Sequence, residues 1–298
     1  MLAAMDEVGY RPNSAARALK SGRFRTIGVI LVTMSSFGNM RTLDAVATAA
    51  AAAGYSITLL PVALPTQGEV AGAVNRLAEQ AVDGIVIIME AHILDRNDVT
   101  VPTGLPVVIV DSDAGARYTV VDTDQTEGAR LATQHLLDLG HQRVWHIAGP
   151  ESSYSAGRRT ASWRQTLAAA GAAVPPVLVG DWNAQSGYEH GVRLAADPAV
   201  TAIFASNDQM ALGVMRAMHE AGRSVPASCS VVGFDDMSEA DAFWPPLTTV
   251  HQDFGQVGRL CIEKLLAQID SPAAVGAGTT IVPTHLVMRA STAPPPRT

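Results

Sequence analysis

Short runs of consecutive apolar residues alternate with longer stretches in which apolar residues recur every three or four positions. The runs read IGVILV (27–32), SITLLPV (56–62), GIVIIM (84–89), PVVIVD (106–111), TVVD (119–122), RVWHIAG (143–149), PVLVGDW (176–182), AIFASND (202–208) and SVVGFDD (230–236). Runs of this length, bounded by turn residues, predict buried strands of parallel sheets. Helical spacing marks 40–53, 70–80, 126–139, 155–170 and 186–196, and again the stretch from Met210 to Met218, which Ala221-Gly222 closes. Repeated βα units predict an α/β protein with helices on both faces of its sheets. At 298 residues, two smaller sheets in two lobes with a cleft between them fit better than one nine-stranded sheet.

In open α/β sheets, ligands sit outside the carboxyl ends of the strands. Two successive strands end there in Asn207 and Asp235. An amide donates and accepts while a carboxylate accepts twice, which suits vicinal hydroxyls that do both. No nucleophile or proton-transfer partner is adjacent in sequence, so binding is favoured over chemistry. The loop 149–159, GPESSYSAGRR, joins a strand end to a helix; it is either a flexible capped loop or a ligand-facing one that brings Arg159 into the cleft. Asp111 ends its strand as a turn cap or a ligand contact. Trp182 and Phe254 are core aromatics or apolar walls for a sugar ring.

Net charge is −7, but residues 1–25 carry five cations against two carboxylates, leaving a basic front end on an acidic body. Two separated cysteines, Cys229 and Cys261, give neither a disulfide framework nor a zinc site, and a reducing cytoplasm is expected. His135, His141 and His146 lack metal-ligand spacing, so neither metal nor other cofactor is expected. No signal pattern and no 18-residue apolar run is found, which predicts a chain with no membrane partner. The dinucleotide, P-loop, G-x-S-x-G, H-E-x-x-H and C-x-x-C signatures are missing, and no enzyme is expected. STAPPPRT at the end (291–298) reads as an unstructured tail.

Seven segments together resemble the LacI/GalR family of transcriptional repressors. They are YRPNSAARALKSGRFRTIGVI (10–30), VIVDSD (108–113), HLLDLGHQRVWHIAGPESSYSAGRRTASW (135–163), GDWNAQSGY (180–188), ASNDQMALGVMRA (205–217), SVVGFDD (230–236) and PPLTTVHQDF (245–254). The resemblance implies a two-lobed, periplasmic-binding-protein-like core with crossover strands. One lobe would comprise 26–123 plus 254–281 and the other 124–253 plus 282–291, with 292–298 a disordered tail. It implies effector contacts at Asp111, Ser155, Arg159, Trp182, Asn207, Asp235 and Phe254, with Trp182 and Arg159 favouring a sugar over a purine. It also implies that 1–25 is the end of a DNA-binding headpiece plus a hinge helix. There Asn13, Ala16, Arg17 and Leu19 would meet the minor groove of operator DNA, Leu19 as a wedge. The family's helix-turn-helix would precede Met1. A homodimer is expected, since no tetramerising heptads follow the core. A transporter's solute-binding protein would share such a core but give no use to the basic hinge-like segment. A sugar-cleaving enzyme would need two carboxyls poised across a bond, a role for which only Asp111 and Asp235 could be imagined.

Overall fold

A computed structural model describes residues 22–34, 36–63, 66–89, 105–112, 114, 117–271 and 276–296. The hinge-helix positions Asn13, Ala16, Arg17 and Leu19 therefore lie outside the described residues. Twelve strands among the described residues form two six-stranded sheets. The first holds β1 (Thr26–Leu31), β2 (Ser56–Pro61), β3 (Gly84–Ile88), β4 (Val107–Val110), β5 (Thr119–Thr123) and β11 (Gly278–Val282), in the order β11-β5-β4-β3-β1-β2, all parallel. The second holds β6 (Trp145–Ala148), β7 (Leu178–Val179), β8 (Ala202–Ala205), β9 (Ser230–Asp235), β10 (Thr248–Gln252) and β12 (Thr284–Val287), in the order β12-β10-β9-β8-β6-β7. Only β12 runs antiparallel, against β10.

Helices cover both faces of each sheet. Around the first sheet, α1 (Phe37–Ala52) and α7 (Phe254–Asp270) pack on each other over one core, in which Val46, Val86, Cys261 and Leu265 are buried. α2 (Gln67–Glu79) covers the other face through Val74 and Leu77. Around the second sheet, α3 (Gln125–Asp138) and α4 (Tyr154–Ala169) bury Leu136, Trp163 and Phe234 on one side. α5 (Ala184–Ala195) and α6 (Asp208–Glu220) bury Leu194, Met210 and Met218 on the other. Continuous apolar runs such as GIVII in β3 are buried along their length, as strands covered on both faces must be.

The chain crosses between the sheets three times: from β5 into α3, from β10 into α7, and from β11 into β12. These crossovers are stitched to one another. The Asp124 amide donates to the Val282 carbonyl, the Thr284 hydroxyl to the Asp124 carbonyl, and the Thr123 hydroxyl to the Gln252 side chain at 2.7 Å. Six helices start from a side chain that accepts a backbone N–H three residues on: Ser36, Thr66, Asp124, Ser153, Asn207 and Asp253. These short polar residues, set at the seam between strand end and helix start, satisfy amides that would otherwise be orphaned.

The fold departs from the sequence expectation in three places. The 176–182 run shrinks to two paired residues in β7, because it lies at a sheet edge and leaves Val179 exposed. β10, β11 and β12 were not expected as strands. β10 reads TTVHQ, with one apolar residue, and its buried Thr248 is served by Ser291 and Arg289 rather than by apolar packing. The tail is not free over its first residues. Thr292 bonds His135, and Ala293 exchanges hydrogen bonds with Ser230 while its carbonyl meets His141. Proline density argued for disorder, but side chains of the second lobe supply partners for this backbone.

One close approach sets the geometry of the second lobe. A Cβ at Gly213 would lie 2.0 Å from the Ala184 carbonyl oxygen, so α6 and α5 touch backbone to backbone. Gly213→Ala is expected to cost about 3 kcal/mol through forced overpacking, measured as a shifted denaturant midpoint. An unchanged midpoint would mean that the helices can separate freely.

Candidate functional site

The strand ends of both sheets open onto one cavity enclosing about 540 Å³ of empty space, its mouth included. Asp111, Ser155, Arg159, Trp182, Asn207, Asp235 and Phe254 all line it. From the first lobe come Asp111, just past β4, and Phe254, the first residue of α7. From the second come Ser155 and Arg159 of α4, Trp182 ahead of α5, Asn207 between β8 and α6, and Asp235 at the end of β9.

Arg159 is the centre of the second-lobe wall and is only 4% exposed. Its Nε donates to the Gln125 side-chain oxygen at 2.8 Å, and its Nη1 to the Ser206 carbonyl. Its Nη2 lies 3.7 Å from an Asp235 carboxylate oxygen. The guanidinium plane sits 3.7 Å from the centroid of the Phe234 ring and 5.5 Å from that of Trp182. Stacking between aromatics fixes a charge that burial would otherwise penalise heavily.

Asp235 accepts from the Gln252 amide at 2.6 Å. Burial pushes its carboxyl up to about 6, with Arg159 and Gln252 pulling the other way and the charge of Asp111 adding to the rise. Asp122 is also held well above the usual carboxylate range, first by burial and then by neighbouring Asp111. Behind the wall, burial and the charge of Asp235 raise Asp208 too; it accepts from Thr249 and from the Met237 amide.

Asn207 is more committed than an open amide at a strand end. Its oxygen caps α6 by accepting from the Met210 amide at 2.8 Å, and its nitrogen donates to the Trp182 carbonyl at 2.9 Å. It therefore fastens the Trp182 loop to α6, leaving one N–H and one lone pair toward the cavity. The Ser155 hydroxyl pairs with Ser153 at 3.1 Å. Phe254 makes an edge contact with Phe37, ring centroids 6.1 Å apart. Asp111, Trp182 and Asp235 have φ of 61°, 72° and 108°, where non-glycine residues rarely sit. Each such residue costs about 1–3 kcal/mol, and such strain persists where surroundings over-determine it, often at ligand sites.

Trp182 owes its place to a missing side chain. A Cβ at Gly149 would lie 2.2 Å from the indole, so only glycine lets the ring lie over that loop. The indole N–H is buried with no hydrogen-bond partner in the described structure.

The cavity also takes in Phe37, Asn39, Asp122, Thr123, Gln125 and Gln252, which were not singled out from the sequence. Asp122 ends TVVD just as Asp111 ends VIVD, so its signal was present. Gln125 and Gln252 flank crossovers, and only the fold reveals that they meet (3.3 Å). His135, His141 and His146 lie elsewhere. His146 is fully buried, bonded to the Phe204 carbonyl and to Thr160, and pushed down to about 3 by burial.

Two parallel α/β lobes, three mutually bonded crossovers and a shared polar cleft define a two-lobed, periplasmic-binding-protein-like core. A family model described as periplasmic binding protein-like domain matches residues 133–292. The chain is 33% identical to the lactose operon repressor of Escherichia coli (strain K12), over 98% of this chain and 81% of that protein. The Lac repressor dimer bound to operator and the anti-inducer ONPF superposes with a TM-score of 0.88 at 32% identity, covering 95% of this chain and 99% of that one. The cellobiose complex of the transcriptional regulator CelR does so with 0.80 at 28% identity, covering 97% and 88%. The chain belongs to the LacI/GalR family of transcriptional repressors. Its relatives are repressors, and among the described residues no helix is long and apolar enough to cross a membrane.

The buried carboxyl of Asp235 gives a signed prediction. In the unfolded chain an aspartate ionises near pH ~3.9. Folded protein thus keeps a proton that the unfolded chain releases between about pH 4 and 6, and stability falls as pH rises through that window. The stability of Asp235→Asn relative to wild type should therefore grow from pH 4 to 6 in urea titrations. A difference that stays flat would mean Asp235 ionises at its ordinary value.

Proposed function

We propose that this chain is the effector-binding and dimerisation core of a sugar-responsive transcriptional repressor, with a neutral carbohydrate held between the lobes. One observation carries it: six residues marked for hydroxyl recognition or ring packing, with Ser155 beside them, come from both lobes and line one cavity. Asp111, Asp235, Arg159 and Asn207 would bond hydroxyls, Ser155 would add a further polar contact, and Trp182 and Phe254 would flank the ring. The solved relatives bound to an anti-inducer or to cellobiose support the ligand class. No metal or other cofactor takes part, and the chain catalyses no reaction on its ligand. A transporter's solute-binding protein would share the cleft, but the sequence relatives are repressors.

The proposed lobes are 26–123 with 254–281, and 124–253 with 282–291. The hinge segment, with Asn13, Ala16, Arg17 and Leu19, would act on operator DNA in the cytoplasm when joined to a helix-turn-helix. A ligand that prefers one lobe orientation shifts the population of dimers able to hold their hinges together. By reciprocity, operator binding alters sugar affinity by the same factor.

The test is a thermal-shift panel of methyl hexosides and disaccharides, since a ligand of the folded state raises apparent stability. Arg159→Ala would strand Asp235 and Asn207→Ala would uncap α6, so neither isolates binding. Gly149→Ala moves the indole from behind and is expected to weaken sugar binding about tenfold or more while the chain still folds. Full affinity in that variant would remove Trp182 from the site.

For the dimer, the second lobe offers Trp244, 94% exposed, and Leu212 on the outer face of α6. Ala240 and Phe243, in the loop that carries Trp244, belong to the same buried cluster as Ala211 and Met215 of α6. The Lac repressor relative is a dimer. Trp244→Asp with Leu212→Asp is expected to yield monomers in sedimentation velocity without loss of sugar binding. A persistent dimer would move the interface elsewhere.

A further inference from the structure

A second cavity, of about 780 Å³ with its mouth, adjoins the first and shares Phe37, Asp235, Gln252 and Phe254 with it. Beyond this common wall it is lined by Arg41, Asp236, Ser238, His251, Asp253 and Gly255. We propose that this annexe is a subsite for a second, uncharged sugar ring, so that the full ligand is at least a disaccharide whose first ring occupies the cleft. The inference rests on the carbohydrate reading above and adds to it the length and charge of the ligand.

The chemistry of the annexe is that of hydroxyl recognition. Nδ1 of His251 lies 2.9 Å from an Asp236 carboxylate oxygen, whose other oxygen is held by Arg289 at 2.7 Å. A neutral imidazole that donates Nδ1–H to Asp236 leaves Nε2 as an acceptor. One Asp253 oxygen caps α7 through the Gln256 amide, and the other is open to a second donor. The Ser238 hydroxyl donates to Glu239 and can still accept. Arg41 supplies the donor fork; its ion pair to Asp44 is long (3.5 Å) and exposed. Phe37 and Phe254, crossed edge to face, give the partition an apolar surface for the C–H face of a ring.

Charge decides the class. Of the carboxylates facing the annexe, Asp235 is paired with Arg159 and Asp236 with Arg289, which leaves Asp253 opposite Arg41 and no excess of cation. Asp253 occupies the N-terminus of α7, where an anion would otherwise be welcome. A phosphorylated or carboxylated sugar is therefore opposed, and a neutral ring is accepted.

The experiment compares methyl hexosides with disaccharides sharing that ring, and with their 6-phosphates, by calorimetry on the whole chain. Ser238 is exposed, so Ser238→Trp can fill the annexe without burying the new side chain in the core. The expected result is that one neutral disaccharide binds wild type about tenfold or more tighter than its methyl hexoside, the worth of one or two added hydrogen bonds. Ser238→Trp should abolish that gain and leave the methyl hexoside unchanged. Arg41→Ala should reduce the gain in part. Equal affinity for one ring and two, or a gain that survives Ser238→Trp, overturns the annexe while leaving the cleft reading intact. A phosphorylated sugar that binds tighter overturns the charge assignment. Failure of every sugar to bind overturns both.

Discussion

A cation almost wholly buried, held by aromatic faces and a carboxylate, is the constraint on which the second lobe's half of the cleft depends. Arg159 touches Gln125 next to a crossover, the Ser206 carbonyl at the end of β8, Asp235 at the end of β9, and the rings of Phe234 and Trp182. The contacts come from four segments, Phe234 and Asp235 sharing β9, so the guanidinium fixes their relative positions. An unpaired buried charge is costly, and the strained backbone of Trp182 and Asp235 persists because these contacts leave little alternative. The Asn207 amide extends this lock to α6, and α6 in turn meets α5 backbone to backbone.

The first lobe presents a different face. Asp111 and Asp122 bring carboxylates to the cleft opposite Arg159, and burial with mutual repulsion holds Asp122 toward its neutral form. A ligand that meets both walls changes the balance of charge and solvent across the gap. Thr123, Gln125 and Gln252, on two of the three crossovers, bond to one another at the joint between the lobes. Those same groups adjoin Asp235, so the cleft floor and the joint between lobes share atoms. A differential affinity of about 1–3 kcal/mol between two lobe arrangements would suffice for regulation.

Most strands and helices were legible because burial on both faces writes continuous apolar runs, as in β3 and β4. What was missed is polar for a reason. β10 and β12 sit where the chain changes lobe; Val250 and Leu286 reach the core, while Gln252 and Thr284 serve hydrogen bonds at the crossovers. The strand-end rule found Asn207 and Asp235, yet it could not say that Asn207 is half consumed as a helix cap. It passed over Asp122, which carries the same signature as Asp111. Gln125 and Gln252 are 127 positions apart, and no local pattern announces such a meeting. Trp182 was left open between core and ligand wall; it joins the buried cluster of the second lobe and also lines the cavity, because Gly149 makes room for it there.

The most direct test of a carbohydrate clasped between the lobes is a crystal structure of the chain with the tightest-binding sugar of the panel. One sugar ring should meet Arg159 and Asp235 on one side and Asp111 and Phe254 on the other, within hydrogen-bond and van der Waals distance. A sugar bound to a single lobe, or outside the cleft, would contradict the account.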